Sequence, residues 1–305
     1  MESSQIIHIG YPKTASTWLQ NNFFNNISNI DFVDRRTTKE DFILSNSLDF
    51  DSNFLTDKYK NKSRILLSHE LLVGGMIHTG GVNGILIKEF CLRLKSVFPN
   101  AQIVLFIRNQ TDMIASAYNQ YIKGGGTYGI NKYLYQNTFD ALNKYFFFSF
   151  KYLEYDKIID LYKKEFGENN VYIYLHEEFS KDPKEFTKKL SEKFNFDTDF
   201  DKIDYTPLNI KYRKHLKTLF RITNIFYRKS VINKFNLFRF NKLYYKSKNT
   251  FNSLNKYKIF GSFQNTREIL KEKNYKYICD YYKESNQRLI SKHKLNEIKE
   301  YNYPL

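Results

Sequence analysis

Cysteine is almost missing from this 305-residue chain: Cys91 and Cys279 lie far apart and in no metal-ligand spacing. A disulfide framework and a cysteine-built zinc site are both excluded, and the scarcity suits a reducing compartment. Long apolar runs are missing as well, and none reaches the roughly 18 residues that span a bilayer. The opening MESSQIIHIG has no basic stretch and too short an apolar one for a secretory signal. The expectation is a cytoplasmic protein, at most peripheral to an inner membrane. Acidic residues are absent from Ile210 to Thr250, where twelve Lys and Arg stand; of the net charge of +16, the rest of the chain carries only +4. The excess belongs to one segment, not to the whole surface.

What is present describes a globular enzyme-sized chain. Hydrophobic content of 42% in regular runs supports a packed core that needs no staple. The length holds one large α/β domain with insertions or two small ones, and a single domain over 1–305 with a basic, aromatic-rich, helical insertion at about 205–260 is the reading preferred here. Strands are predicted at Ile6–Ile9, Asn29–Asp34, Arg64–Ser68, Ala101–Arg108 and Val171–Leu175. Helices are predicted over Ile85–Phe98, Asn109–Lys123, Phe150–Phe166 and from Asp182-Pro183 to Phe194. Apolar strands alternating with helices imply a mostly parallel sheet covered on both faces, a three-layer α/β/α arrangement.

The most informative stretch is Ile6–Leu19, IIHIGYPKTASTWL. An apolar strand, a tight turn and an amphipathic run follow one another, with Lys13 among small hydroxyl residues. Such a turn aims several backbone N–H groups at one point, so its expected guest is an anion. Lys13 supplies a mobile cation, and Thr14, Ser16 and Thr17 supply donors. The spacing is not that of a Walker A loop, because Lys13 precedes the small residues and no second glycine follows Gly10. Two further strands end on polar residues, His69-Glu70 and Arg108. Ligands of open parallel sheets bind beyond the carboxyl ends of the strands, so Lys13, Glu70 and Arg108 should converge. Gly74–Gly84, with five glycines around His78 and Thr79, is a flexible loop beside those ends.

Two of these stretches share a family resemblance. Tyr11-Pro12-Lys13-Thr14-Ala15-Ser16-Thr17-Trp18 resembles the 5′-phosphosulfate loop of sulfotransferases that use 3′-phosphoadenosine-5′-phosphosulfate (PAPS). Arg108-Asn109, Asp112, Ser116 and Tyr118 resemble that family's 3′-phosphate motif, with Gln110 where proline is usual. Weaker echoes run through Phe166–Pro183, Tyr281–Leu289 and Glu300–Pro304. The resemblance implies a P-loop-like sulfotransferase fold. It further implies that Lys13, Thr14, Ala15, Ser16, Thr17, Trp18, Arg108 and Ser116 hold PAPS, and that a sulfuryl group passes to an acceptor hydroxyl, on a carbohydrate by preference. The product is 3′-phosphoadenosine-5′-phosphate, and no metal is required. Lys13 would offset charge on the leaving phosphate, and the base is Glu70 or, as its rival, His69. Gly261-Ser262-Phe263-Gln264 is the best match to a third nucleotide loop.

Alternatives stay open at this level. A P-loop-type nucleotide kinase would need an acidic metal-holding strand end, for which Glu70 and Asp112 are candidates. A non-catalytic glycan- or membrane-binding protein could use the same fold. The basic segment Lys211–Lys248, interleaved with Phe220, Phe226, Tyr227, Phe235, Phe238, Phe240, Tyr244 and Tyr245, either buries a helical hairpin with solvated cations, carries an acidic glycan, or docks on an anionic membrane. Nucleic acid is disfavoured, since no binding motif accompanies the charge.

Overall fold

The computed structural model describes residues 4–76, 83–135, 148–206, 212–227 and 249–305. The centre of the glycine loop, with His78 and Thr79, and most of the basic segment, 228–248, lie outside the described residues.

Five strands form one sheet: β1 (Ser4–His8), β2 (Asp31–Val33), β3 (Arg64–Ser68), β4 (Gln102–Ile107) and β5 (Val171–Leu175). Their spatial order is β2-β3-β1-β4-β5 and every pairing is parallel. In β1 to β4 the strand residues alternate strictly between two buried faces. Ile7, Ile65, Leu67, Ile103, Leu105 and Ile107 enter one core, and Ile6, Leu66, Val104 and Phe106 enter the other. A sheet apolar on both sides must be covered on both sides.

The larger layer contains α1 (Ile87–Val97), α2 (Gln110–Lys123) and α3 (Tyr155–Phe166), which give Leu94, Ile114 and Ile159 to the first core. The opposite layer contains the helical run after β1 and α4 (Pro183–Phe194), which give Leu19, Phe23, Phe186 and Leu190 to the second. Beyond them, α5 (Lys214–Tyr227) and α6 (Glu272–Ser291) extend the larger layer. This is the three-layer α/β/α arrangement expected from the strand–helix alternation.

Local chemistry sets the boundaries. Asn109 caps α2 by accepting from Thr111 N–H at 3.0 Å, and Asp182 caps α4 by accepting from Glu185 N–H at 3.0 Å. Two elements differ from expectation. The helix after Lys13 is α only over Ser16–Trp18, then widens to a π-helix over Leu19–Phe23 and tightens to 3₁₀ over Phe24–Asn26. The widened turn buries Leu19, Gln20 and Phe23 together. The helix predicted over Phe150–Phe166 is broken at Glu154, whose ψ of 81° is not helical; a 3₁₀ turn precedes it and α3 follows.

Strand order decides what the site can be. With β1 between β3 and β4, the segments after these three strands leave the sheet side by side, and those after β2 and β5 flank them. Gly10 is required where the chain leaves β1. A Cβ there would meet His8 Nε2 at 2.6 Å and Ser16 Oγ at 3.1 Å, so only glycine lets the loop close over the strand.

Candidate active site

From Tyr11 to Ala15 the backbone folds into a tight cradle. Lys13 (φ 74°) and Ala15 (φ 67°) are both left-handed, which costs non-glycine residues roughly 1–2 kcal/mol each. Left-handed residues interspersed along a turn swing successive N–H groups towards one point, the backbone form of an anion nest. The hydroxyl groups behave otherwise than expected. Thr14 Oγ1 donates to the Tyr11 carbonyl at 2.6 Å, and Ser16 Oγ lies 3.5 Å from the same oxygen. Both protons hold the loop's own backbone, as does the Thr14 N–H, which donates to the same Tyr11 carbonyl at 3.3 Å, so the donors left for a guest are other loop N–H groups and Lys13. Thr17 is exposed.

Trp18 is buried, with its ring 5.0 Å from Phe179 and 5.6 Å from Tyr205 and its indole N–H donating to the Asp204 carbonyl at 3.1 Å. It props the loop from the second core. Beneath the loop lies a buried polar relay. Gln20 Nε2 donates to Ser68 Oγ at 3.0 Å and to the Ser68 carbonyl at 3.2 Å, and Ser68 Oγ sits 2.7 Å from His8 Nδ1. Ser68 Oγ thus bridges the Gln20 amide and the His8 ring.

Arg108 leaves β4 and turns back to the first loop, where its Nη1 donates to the Lys13 carbonyl at 3.0 Å. Buried tyrosines form the floor under both turns. Tyr11 OH donates to the Tyr152 carbonyl at 3.0 Å and Tyr155 OH to the Arg108 carbonyl at 2.7 Å, with the Tyr11 ring 5.0 Å from each of the other two. The C-terminal segment clamps the Arg108 turn. Asn109 Nδ2 donates to the carbonyls of Tyr301 and Asn302 at 3.1 and 2.8 Å. Gln110 pairs its amide reciprocally with Asn286, which also donates to the Pro304 carbonyl at 2.8 Å. Glutamine in place of proline thus ties the turn to α6. Ser116 lies half-buried two turns into α2. Asp112 accepts from the Thr266 hydroxyl, which anchors the segment following Gly261–Gln264 against the same helix. Within that segment Gly261 and Ser262 are occupied by the start of α5, accepting from Arg213 Nη1 at 2.9 Å and Lys214 N–H at 3.0 Å.

Beyond β3, His69 and Glu70 part company. His69 is buried and caps the short turn Glu70–Val73, accepting from Leu71 N–H on Nδ1 at 3.0 Å. That lone pair is committed, so the ring is poorly placed to act as a base. Glu70 is buried too; Arg35, at the end of β2, holds its Oε1, while Oε2 has no partner and lies 3.7 Å from His69 Nδ1. Arg35 was not foreseen from sequence, although it stands just past a strand like the other site residues. His176 was also missed, and it directly follows β5. Beside it, Glu177 accepts from Asn109 N–H at 2.8 Å and from Tyr303 OH at 3.1 Å.

The electrostatics are one-sided. Burial, with Lys123 and Arg108 adding to it, pulls the Lys13 ammonium down to about 8. His8, His69 and His176 are each pushed down to about 3 by burial; Arg35 and Lys39 add to the shift at His69, and Arg108 and Lys13 at His176. These histidines are neutral at ordinary pH. The positive potential comes from Lys13, Arg108 and Lys123, and no carboxylate is among the groups that shift Lys13. Gathering cations around a half-buried lysine is unfavourable in an empty protein and is relieved by an anion.

Among solved structures, the chain is similar to a sulfotransferase from Alicyclobacillus acidocaldarius, with 15% identity over 74% of this chain and 93% of that one and a TM-score of 0.47. It is also similar to the mouse sulfotransferase SULT7A1 complexed with PAP, with 14% identity over 99% of this chain and 89% of that one and a TM-score of 0.48. No protein-family model and no curated protein matches the chain. Likeness at this level carries no weight for chemistry, which rests on the residues.

An anion-binding role for Lys13 would carry a pH signature. Only the protonated form would hold the anion, so affinity for adenosine 5′-phosphate should fall as pH rises through about 8, approaching about tenfold per unit above it. Calorimetry across that range checks this, and Lys13→Met should flatten the profile. A slope that survives in Lys13→Met would assign it to another group.

Proposed function

We propose that this protein is a PAPS-dependent sulfotransferase that moves a sulfuryl group to an acceptor hydroxyl, on a carbohydrate. The observation that carries the reading is the contact between Arg108 and the carbonyl of Lys13 at 3.0 Å, which joins the two phosphate-type turns. One adenosine bearing a 5′- and a 3′-phosphate group spans such a pair of turns, with Lys13 and the loop N–H groups at one end and Arg108 with Ser116 at the other.

PAPS, when bound, supplies a sulfuryl group on a good leaving phosphate. The residues then have three tasks. The loop and Arg108 fix the donor so that the acceptor oxygen meets sulfur in line with the breaking bond. Glu70 takes the hydroxyl proton on Oε2 while the acceptor's oxygen–sulfur bond forms. Lys13 offsets the negative charge that the phosphate oxygen gains as its bond to sulfur breaks. Products are the sulfate ester and 3′-phosphoadenosine-5′-phosphate, and the proton passes from Glu70 to solvent. A kinase reading is weaker, because Asp112, one of the two carboxylates it would use, is engaged by Thr266.

The basic segment has a separate part in this proposal. In α5, Leu216 and Phe220 are buried, while Leu219, Ile222 and Ile225 stand 42–44% exposed on the other face, flanked by Lys214 and Arg221. No helix among the described residues is long and apolar enough to cross a membrane. An outward apolar stripe edged by cations suits attachment to an anionic lipid surface, where a lipid-linked acceptor would be presented.

Two experiments test these readings. By calorimetry, 3′-phosphoadenosine-5′-phosphate should bind well ahead of ATP, and Arg108→Ala should weaken it strongly. Glu70→Gln should keep that affinity and lose turnover by about a hundredfold or more. Equal binding of ATP, or full activity in Glu70→Gln, would reject the assignment. In the second, the protein should sediment with phosphatidylglycerol vesicles and not with phosphatidylcholine ones, and an I222S/I225S variant should stay in the supernatant. Equal sedimentation with both vesicle types would reject the membrane role.

A further inference from the structure

One cavity has no part in the chemistry above. It holds about 310 Å³ between the helical run after β1 and the end of β2. Thr17, Asn21 and Asn25 line one side, and Phe32 and Arg35 stand on the other. Two of these residues connect it to the reaction. Thr17 belongs to the Lys13 loop, and Arg35 is the residue whose guanidinium holds Glu70 by Oε1.

The wall defines the chemistry of an occupant. Its two arginines are paired within the protein, Arg35 with Glu70 and Arg36 with Glu40 at 2.9 Å, while Asp34 caps the N–H groups of Arg36 and Thr37. An anionic ligand would have to compete with Glu70 and Glu40 for these arginines. An apolar ligand would take water from the exposed Thr17, Asn21 and Asn25 without replacing its hydrogen bonds. A ring that carries hydroxyl groups meets both demands, with its hydroxyls on Thr17, Asn21 and Asn25 and its C–H face on Phe32.

Glu70 adds the second observation. It is 9% exposed, and its Oε2 is buried with no partner. Its neighbour His69 cannot supply one, because Nδ1 already accepts from Leu71 N–H. Glu70 is not itself in the cavity wall; Arg35, which is, holds its Oε1 and leaves Oε2 for a proton.

We infer that this cavity seats the acceptor, that the acceptor is an uncharged, hydroxyl-rich ring such as a saccharide, and that Arg35 is the positioning residue that couples the seat to Glu70. The inference rests on the sulfuryl-transfer reading. In the step it serves, the acceptor's O–H proton goes to Glu70 Oε2, its oxygen bonds to sulfur, and the sulfur–phosphate oxygen bond breaks with its electron pair remaining on the departing nucleotide.

The test uses the full chain with 3′-phosphoadenosine-5′-phosphate bound, and cellobiose and maltose as uncharged probes against a chondroitin disaccharide as the charged one. Binding is followed by saturation-transfer NMR. Asn21 is exposed, so Asn21→Trp fills the cavity without threatening the core. An uncharged disaccharide should bind the wild type, and Asn21→Trp should weaken it by about tenfold or more while nucleotide affinity holds. With labelled PAPS, Arg35→Ala should lower kcat by about a hundredfold at unchanged KM for PAPS, and Arg35→Lys should restore a good part. If the nucleotide itself fails to bind, the sulfotransferase reading falls and the seat with it. If it binds but the uncharged probes do not, or the charged one binds better, or Asn21→Trp changes nothing, only the seat is overturned. An unchanged kcat in Arg35→Ala overturns the positioning role.

Discussion

A single hydrogen bond, from the Arg108 guanidinium to the carbonyl of Lys13, joins the two halves of the site. It is possible because β1 and β4 are parallel neighbours, so the segments leaving them emerge on one edge of the sheet. The bond stabilises a left-handed residue in the first loop and fixes the arginine of the second turn. The Arg108-Asn109 turn is held from three distant parts of the chain. Tyr155 takes the Arg108 carbonyl, Glu177 the Asn109 N–H, and the C-terminal carbonyls the Asn109 side chain. A turn supported from so many sides can hold a charged group in place before any ligand arrives, which is the condition for electrostatic preorganisation.

Across the sheet edge the polar groups follow the strand order: Arg35 after β2, Glu70 after β3, Lys13 after β1, Arg108 after β4, and His176 with Glu177 after β5. Charge along that edge is divided. Glu70 is neutralised on one side by Arg35, while Lys13, Arg108 and Lys123 face one another in the middle. The neighbouring histidines are held neutral by burial, so they neither add to the cationic field nor switch it near neutral pH. Such a distribution favours a polyanion at the centre and a proton acceptor beside it.

Much of this was legible in the sequence because period and punctuation agree. AQIVLFIR and RILLS read as buried strands and are so, and the helices expected from Asn109 and from Asp182-Pro183 do start there, with Asn109 and Asp182 as their caps. The sites after β3 and β4 were visible because each strand runs directly into a polar residue, and the one after β1 because its turn leads to a lysine among small hydroxyl residues. Arg35 escaped notice since β2 is only three residues long and its following segment has no clear periodicity. His176 carries no signal of its own in the sequence, since it sits inside the stretch Phe166–Pro183 between a strand and two glutamates. Side-chain direction was the other limit. No pattern of residues tells whether Thr14 donates outward or to the Tyr11 carbonyl, and none reveals that Trp18 is sealed between Phe179 and Tyr205. Those outcomes depend on packing from elements far away in the chain.

The central claim is that Lys13 and Arg108 hold opposite ends of one doubly phosphorylated adenosine. Removing one phosphate from the ligand and one cation from the protein tests it in a single thermodynamic cycle. The ratio of affinities for 3′-phosphoadenosine-5′-phosphate and adenosine 5′-phosphate, measured by calorimetry, isolates what the 3′-phosphate contributes. The account predicts that this ratio collapses towards one in Arg108→Ala and is kept in Lys13→Ala. A ratio that both substitutions change alike, or that Arg108→Ala leaves intact, would contradict it.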